Sequence, residues 1–264
     1  TGDVTIAHSK ITGTDNAGIY KTTGKIEVSD TTVTGGTNGI NMTGGDVKVI
    51  NGSTVTGNGA DGIAYTGYTD INTKSAAGGS VTIADSGSVI GKNNGISNTN
   101  GDVTVTGTST KAATVTGTEG VGILSTTGDI NLTYTNVKGK EQGLNGTGGN
   151  ITVTNSTVTG TEKAGIYNTT GNIEVTNSTV TGGTLGINKT AGSVTLTGTN
   201  KTSAKIIGAT GGIYGTGKDI SLTSGTITAT TGDGIQGVNG TIELSNIDIE
   251  AGGSGITASA TVDG

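Results

Sequence analysis

A repeat of about 21 to 22 residues runs through the 264-residue chain and limits the folds that it can adopt. Each unit opens with two apolar residues separated by a polar one, as at Ile26 and Val28. A β-branched residue such as Val33 follows, and then Gly with Ile or Leu, as at Gly39-Ile40. Each of these three marks occurs eleven times. Three apolar marks separated by turn-forming residues predict three short strands in every unit.

The apolar and polar residues alternate within these strands, so one face is predicted to be buried and the other solvated. Three short strands cannot bury their inner face alone, but units stacked about 4.8 Å apart can. We therefore predict an all-β, single-stranded parallel β-helix (β-solenoid), right-handed on base rates, with about 11 coils of 21–22 residues and three short strands each. Its core should include Ile26, Val28, Val33, Ile40, Ile151, Val153, Val158 and Ile166.

The composition agrees with a narrow interior. The chain has 52 Gly and no Pro, Phe, Trp or Cys. Large aromatic residues would overpack a thin lumen, and proline would remove a donor from strands that pair on both sides. The lack of cysteine excludes a disulfide framework, and no stretch of 18 apolar residues predicts a transmembrane segment. With a net charge of −6 and no basic cluster, nucleic acid is not an expected partner.

We interpret residues 1–264 as one continuous solenoid segment of a longer polypeptide, because the sequence contains no capping segment and open solenoid ends expose core and strand edges. Further coils of the same chain or other copies are the expected partners of these ends.

The sequence also contains a longer repeat that spans several of these units. Residues 149–170 repeat residues 2–23 at an offset of 147, and the following coil repeats at the same offset. This indicates duplication of a block, with copies at 2–78 and 149–217, although convergence on a consensus coil would leave similar matches.

The coils that exceed the usual length suggest where a partner would bind. The longest insertion covers 64–78, and smaller ones cover 107–113 and 198–205. Insertions in solenoids map to loops, often on a binding face, although neutral drift also lengthens loops. Exposed tyrosines could stack on sugars or anchor a protein, or they could be scattered surface residues. The candidate contact residues are Tyr65, Tyr68, Asp70 and Lys74 in the insertion, and Tyr20, Tyr167 and Tyr214 after the Gly-Ile mark.

The pattern of charged residues argues against catalysis. Glycosidase and lyase chemistry needs clustered carboxylates or a base beside a cation. On the outward row of the first strands, Glu27 lies beside Lys48 and Glu174 has no acidic neighbour. We therefore predict no enzyme activity, catalytic residue, metal or cofactor, and we interpret His8 as a solvated side chain.

Two other polar patterns have structural explanations. Aspartates recur at the corner before the first strand, as at Asp3 and Asp46, where hydrogen bonding accounts for them better than calcium binding does. Thr-x-Thr pairs such as Thr32 and Thr34 recur in the second strands. A flat Thr array could order water as in ice-binding proteins, but residues such as Lys205 interrupt it.

The repeat Gly-Asn-Ile-x-Val-x-Asn-Ser-Thr-Val-Thr-Gly-Thr, as in residues 149–161, resembles the β-helical stalks of secreted bacterial surface adhesins. Autotransporter passenger domains and filamentous-haemagglutinin-like exoproteins are the nearest families, and the resemblance covers the whole chain. It implies type V secretion, a place at the extracellular cell surface, and a structural, adhesive rod that contacts a host or neighbouring cell through a glycan or protein.

The main alternative is a self-assembling filament or surface-layer subunit that stacks end to end. An ice-binding protein and a polysaccharide-active enzyme are weaker alternatives.

Overall fold

The computed structural model describes residues 2–65, 68–69, 76–77, 79–237 and 239–258. These residues form an all-β parallel solenoid of about eleven turns, which confirms the predicted fold class. Among them, no helix is long and apolar enough to cross a membrane.

The strands are short and follow one another around each turn. In chain order they are β1 Val4–Ala7, β2 Lys10–Gly13, β3 Ile19–Lys21, β4 Ile26–Ser29, β5 Thr32–Gly35, β6 Ile40–Met42, β7 Val47–Ile50, β8 Thr54–Gly57, β9 Ile63–Tyr65, β10 Tyr68–Thr69, β11 Ala76–Ala77, β12 Val81–Ile83, β13 Ser88–Gly91, β14 Ile96–Asn98, β15 Val103–Thr106, β16 Ala113–Gly117, β17 Ile123–Ser125, β18 Ile130–Thr133, β19 Thr135–Gly139, β20 Leu144–Gly146, β21 Ile151–Thr154, β22 Thr157–Gly160, β23 Ile166–Asn168, β24 Ile173–Thr176, β25 Thr179–Gly182, β26 Leu185–Lys189, β27 Val194–Thr197, β28 Lys205–Gly208, β29 Gly211–Gly215, β30 Ile220–Ala229, β31 Asp233–Gly237, β32 Ile242–Ala251 and β33 Ile256–Ala258.

Each strand of the two main sheets pairs in parallel with the equivalent strand of the next turn, and the register is kept along the chain. In the second strands, for example, Val33 pairs with Val55 and Val55 with Val89. The third strands form an 11-stranded sheet. The first and second strands belong to one 20-stranded sheet, because β30 and β32 each run through both positions without a break.

Two kinds of corner turn the chain. In nine of the eleven turns a non-glycine residue with positive φ lies between the first-strand and second-strand positions, a conformation that Asn, Asp and His tolerate better than most residues do. Before the first strand, a side chain of one turn accepts a hydrogen bond from the backbone of the next. Asp102 accepts from the N–H of Asp129, and Asp129 from that of Asn150. These bonds confirm the interpretation of the aspartate pattern as corner hydrogen bonding. The non-glycine residues with positive φ are His8, Asp30, Asn51, Asp85, Ser86, Tyr134, Asn155, Asn177, Ser224 and Asn246.

All eight predicted core residues are buried. The most uniform part of the interior is the row of inward residues of the second strands, which we call the second-strand column. Every buried member is Val or Ile, so each turn presents nearly the same volume to its neighbours. The column comprises Val33, Val55, Val89, Val115, Val137, Val158, Val180, Ile206 and Ile227.

A second interior row lies at the end of the third strands, and we call it the corner column. Its residues differ widely in size and polarity. Some polar members are satisfied by nearby backbone: the side chain of Asn98 donates to the Gly101 carbonyl at 3.0 Å, and the hydroxyl of Ser125 donates to the Gly128 carbonyl at 3.0 Å. The column comprises Met42, Tyr65, Asn98, Ser125, Gly146, Asn168, Lys189, Gly215 and Gly237.

The extra residues of the long coils lie between strands. The longest insertion contains β10 and β11, which pair antiparallel as a small hairpin outside the two main sheets. The smaller insertions separate β15 from β16 and β27 from β28.

Candidate binding surface

One predicted contact residue lies inside the solenoid. Tyr65 is 1% exposed and belongs to the corner column, so its assignment as a surface contact is wrong. It is the third residue of β9, and alternation along the strand places it on the same face as Ile63. The sequence reasoning treated it as part of the insertion, whereas the inward row of the third strands continues through it.

The other insertion residues give little further information. Tyr68 is the first residue of β10, where its backbone pairs with Ala77. Asp70 and Lys74 lie outside the described residues.

The other three predicted contact tyrosines lie on one outward row, which we call the tyrosine row. Each is the residue after the inward Ile of a third strand. Tyr20 is 66% exposed, and Tyr167 and Tyr214 are half-buried. Strand register therefore aligns them on one face of the rod, as the sequence predicted for these three residues. In chain order the row comprises Tyr20, Asn41, Ala64, Ser97, Leu124, Asn145, Tyr167, Asn188, Tyr214, Gln236 and Thr257.

The row is not uniform along the rod. Tyr167 pairs in register with Asn188, and Asn188 with Tyr214. Since strands of adjacent turns are about 4.8 Å apart, the two tyrosines are about 9.6 Å apart with an amide between them. Tyr20 has different neighbours in the row: Asn41 lies on the next turn and Ala64 on the turn after it, so no second tyrosine lies two turns away. Sequence reasoning identified the tyrosines but missed the amide residues, although the Gly-Ile-x pattern gives their positions.

A row of threonines flanks the tyrosine row, two residues further along each turn. We call it the threonine row. Some of its hydroxyls bond to the backbone of the preceding turn: Thr43 donates to the Thr22 carbonyl at 2.7 Å, and Thr216 donates to the Thr190 carbonyl. The described members are Thr22, Thr43, Thr99, Thr126, Thr147, Thr169, Thr190 and Thr216.

The tyrosine row is bordered at one end by an open groove rather than a closed cavity. A groove of about 470 Å³ lies next to Tyr20 and is also lined by Asn16, Ala17, Thr37 and Asn41. It contains no charged side chain. The surface is therefore suited to flat contact rather than to enclosing a small molecule.

Charged side chains on other faces form ion pairs across turns. Lys48 contacts Glu27 at 3.2 Å, as the sequence predicted, and Lys163 contacts Glu141 at 3.1 Å. These pairs are exposed, so each contributes about 0–1 kcal/mol to stability.

The one histidine is exposed, as the sequence predicted. Nδ1 of His8 lies 2.7 Å from a carboxylate oxygen of Asp30 on the next turn, although both side chains are mostly exposed. Within the residues that the structure describes, no three His, Cys, Asp or Glu side chains are grouped closely enough to hold a metal ion.

Comparisons with known proteins gave no match: no family model fits the chain, and no curated protein or solved structure is significantly similar to it.

Proposed function

We propose that this protein is a non-catalytic, extracellular structural rod of a bacterial surface protein that also adheres to a host or neighbouring cell. The observation that carries the proposal is the unbroken parallel register of the sheets over about eleven turns. Because each turn packs on the next through a continuous apolar core, the assembly resists bending and suits a stalk.

The surface supports an adhesive role for the rod. Repeated turns place equivalent side chains in long straight rows, and the tyrosine row brings Tyr167 and Tyr214 onto one face. Amphipathic tyrosine side chains contribute much of the contact energy at many binding surfaces. A rigid row also loses little conformational entropy when a partner binds.

Electron microscopy tests the structural part of the proposal. We expect the purified chain to form single rods about 50 Å long, which is eleven steps of about 4.8 Å. Rods that join into regular end-to-end fibres would instead support the self-assembling filament. Flexible or bent particles would contradict a stalk.

Adhesion to cells tests the other part. We expect the labelled rod to be retained on cell surfaces or on extracellular matrix, in contrast to an unrelated acidic protein of similar size. A variant without residues 68–78 keeps four residues between β9 and β12, as between β6 and β7, and separates the insertion from the rest of the surface. If it adheres as well as the complete chain, the insertion is not the contact. If the complete chain adheres to none of these surfaces, the adhesive role is wrong.

A further inference from the structure

We propose that the tyrosine row between Leu124 and Gln236 binds an extended, uncharged polysaccharide that lies along the rod axis. The inference rests on the proposed adhesive function and names the class of its ligand. It starts from the alternation of Tyr167, Asn188 and Tyr214 on successive turns.

The side chains of this segment match the chemistry of sugars. A pyranose ring has an apolar face of C–H groups, which stacks on an aromatic ring, and a rim of hydroxyls, which bond to amides. Tyr167 and Tyr214 supply the rings, and Asn145, Asn188 and Gln236 supply amide donors and acceptors. All five side chains lie at the surface, exposed or half-buried. The threonine row beside them adds hydroxyls, so a bound chain would meet polar groups along one edge.

The spacing favours a linear polymer over a single sugar. The rings are two turns apart, about 9.6 Å, with one amide residue between them. In an extended polysaccharide with a two-fold twist, every second sugar presents the same face, at a repeat close to this distance. One tyrosine would then lie under each such face, and Asn188 would lie under the intervening sugar.

The charge of the segment selects among polysaccharides. From Leu124 to Gln236 the tyrosine row contains no charged side chain. On another face of these turns, Lys163 and Glu141 neutralise each other at 3.1 Å. An acidic polysaccharide would meet no cationic side chain on this row. Its carboxylates would therefore lose hydration without gaining an ion pair.

Titration with two β-1,4-linked oligosaccharides, cellohexaose and mannohexaose, tests the inference by calorimetry. We expect at least one of them to bind. The single variants Tyr167→Ala and Tyr214→Ala should each weaken its binding about three- to tenfold, since each removes one stacked ring. Tyr20→Ala is the matched control: it removes an exposed tyrosine of the same row that has no second tyrosine two turns away, and it should leave binding unchanged.

An exchange variant tests the spacing itself. Asn188→Tyr combined with Tyr214→Asn keeps the composition and both rings but places the rings on adjacent turns, about 4.8 Å apart. We expect about tenfold weaker binding with an unchanged melting temperature. Equal affinity would overturn the inference, because it would indicate that apolar area alone is recognised, as a peptide partner would.

The outcomes separate this inference from the proposed function. If neither oligosaccharide binds at millimolar concentration, or if alginate, an acidic polysaccharide, binds as well as they do, the inference is wrong. If the Tyr167→Ala, Tyr214→Ala double variant still adheres to cells as the original does, the inference is also wrong while the adhesive rod stands. If the original chain adheres to no surface but binds an oligosaccharide through both tyrosines, the inference stands and the adhesive role fails.

Discussion

The second-strand column and the corner column line the same solenoid, yet they differ in which residue types they contain. The second-strand column is Val or Ile at every buried position, whereas the corner column contains Met42, Tyr65, Asn98 and Lys189. The difference follows from what each row faces. The first belongs to the continuous apolar core, while the second ends beside the carbonyls of a corner, which can accept hydrogen bonds from short polar side chains. The short polar side chains of the interior are therefore satisfied where backbone groups are within reach.

The variant with the largest expected effect places a residue type of the corner column, asparagine, in the second-strand column. Val158→Asn removes a fully buried apolar side chain and leaves an amide without a partner. Loss of apolar burial, about 1.5–3 kcal/mol, adds to the cost of an unsatisfied buried polar group, about 1–3 kcal/mol. We expect the free energy of unfolding to fall by about 3–5 kcal/mol, measured by urea denaturation.

The matched control is the next residue of the same strand. Thr159→Asn places the same amide on the outward face of β22 and should change stability by less than about 0.5 kcal/mol. Similar losses for the two variants would contradict the distinction between inward and outward rows.

A second test compares two glycines of one strand. A Cβ on Gly212 would lie 2.3 Å from Cγ2 of Ile227 and 2.5 Å from the carbonyl oxygen of Gly234. A Cβ on Gly215, in the corner column, would meet only the end of the Ile220 side chain, at 3.3 Å. We expect Gly212→Ala to lower the free energy of unfolding by about 2–3 kcal/mol through overpacking.

Gly215→Ala should change the free energy of unfolding by well under 1 kcal/mol in the same denaturation experiment, because a flexible side chain can move aside. Since neither glycine has a positive φ, backbone strain does not enter the comparison. Equal losses would mean that the corner column is packed as tightly as the rest of the core.

The two columns also differ in how well the sequence predicts which of their residues are buried. The second-strand column repeats one residue type at a constant spacing, so its strands, their alternation and burial of Val33 and Val158 follow from the period alone. The corner column has no common residue type. Tyr65 therefore resembled a loop residue, and its burial became evident only from the register of β9 with β14. The tyrosine row is predictable only in part: its positions recur with the period, but the residue types at those positions vary.

Lys189 offers a test of how costly polarity is in the corner column. Its side chain is fully buried and its Nζ has no hydrogen-bond partner among the described residues. Burial lowers the pKa of Lys189 from 10.5 to about 8. Below pH 8 the folded protein must therefore hold a buried charge. We expect Lys189→Met to raise the free energy of unfolding at pH 7 by about 1–3 kcal/mol.

The pH dependence distinguishes this effect from better packing. Between pH 8 and 10.5 the unfolded chain retains the lysine proton more than the folded chain does, so the stability of the original protein should rise with pH. The advantage of the Met variant should shrink over the same range, measured by urea denaturation at each pH. Lys218→Met, at an exposed lysine, is the control and should show no such trend. A constant advantage at every pH would contradict a buried charge.

The smallest expected effect concerns Tyr65. Its hydroxyl is buried and has no hydrogen-bond partner among the described residues, so Tyr65→Phe keeps the ring and removes only an unsatisfied group, which should raise the free energy of unfolding by about 1 kcal/mol. Burial raises the pKa of Tyr65, and the nearby charge of Asp46 raises it further, with only a partial offset from the Gly45 backbone.

The sign of this pKa shift predicts a second difference for Tyr65→Phe. Above pH 10 the unfolded chain loses the tyrosine proton before the folded chain does, so the original protein should lose stability with rising pH, and Tyr65→Phe should lose less. Tyr20→Phe, at an exposed tyrosine, is the control for alkaline effects elsewhere in the chain. If Tyr65→Phe instead destabilises the protein at pH 7, the hydroxyl has a partner such as a buried water. The corner column would then satisfy its long side chains as well as its short ones, and its tolerance of polarity would extend beyond the reach of the corner carbonyls.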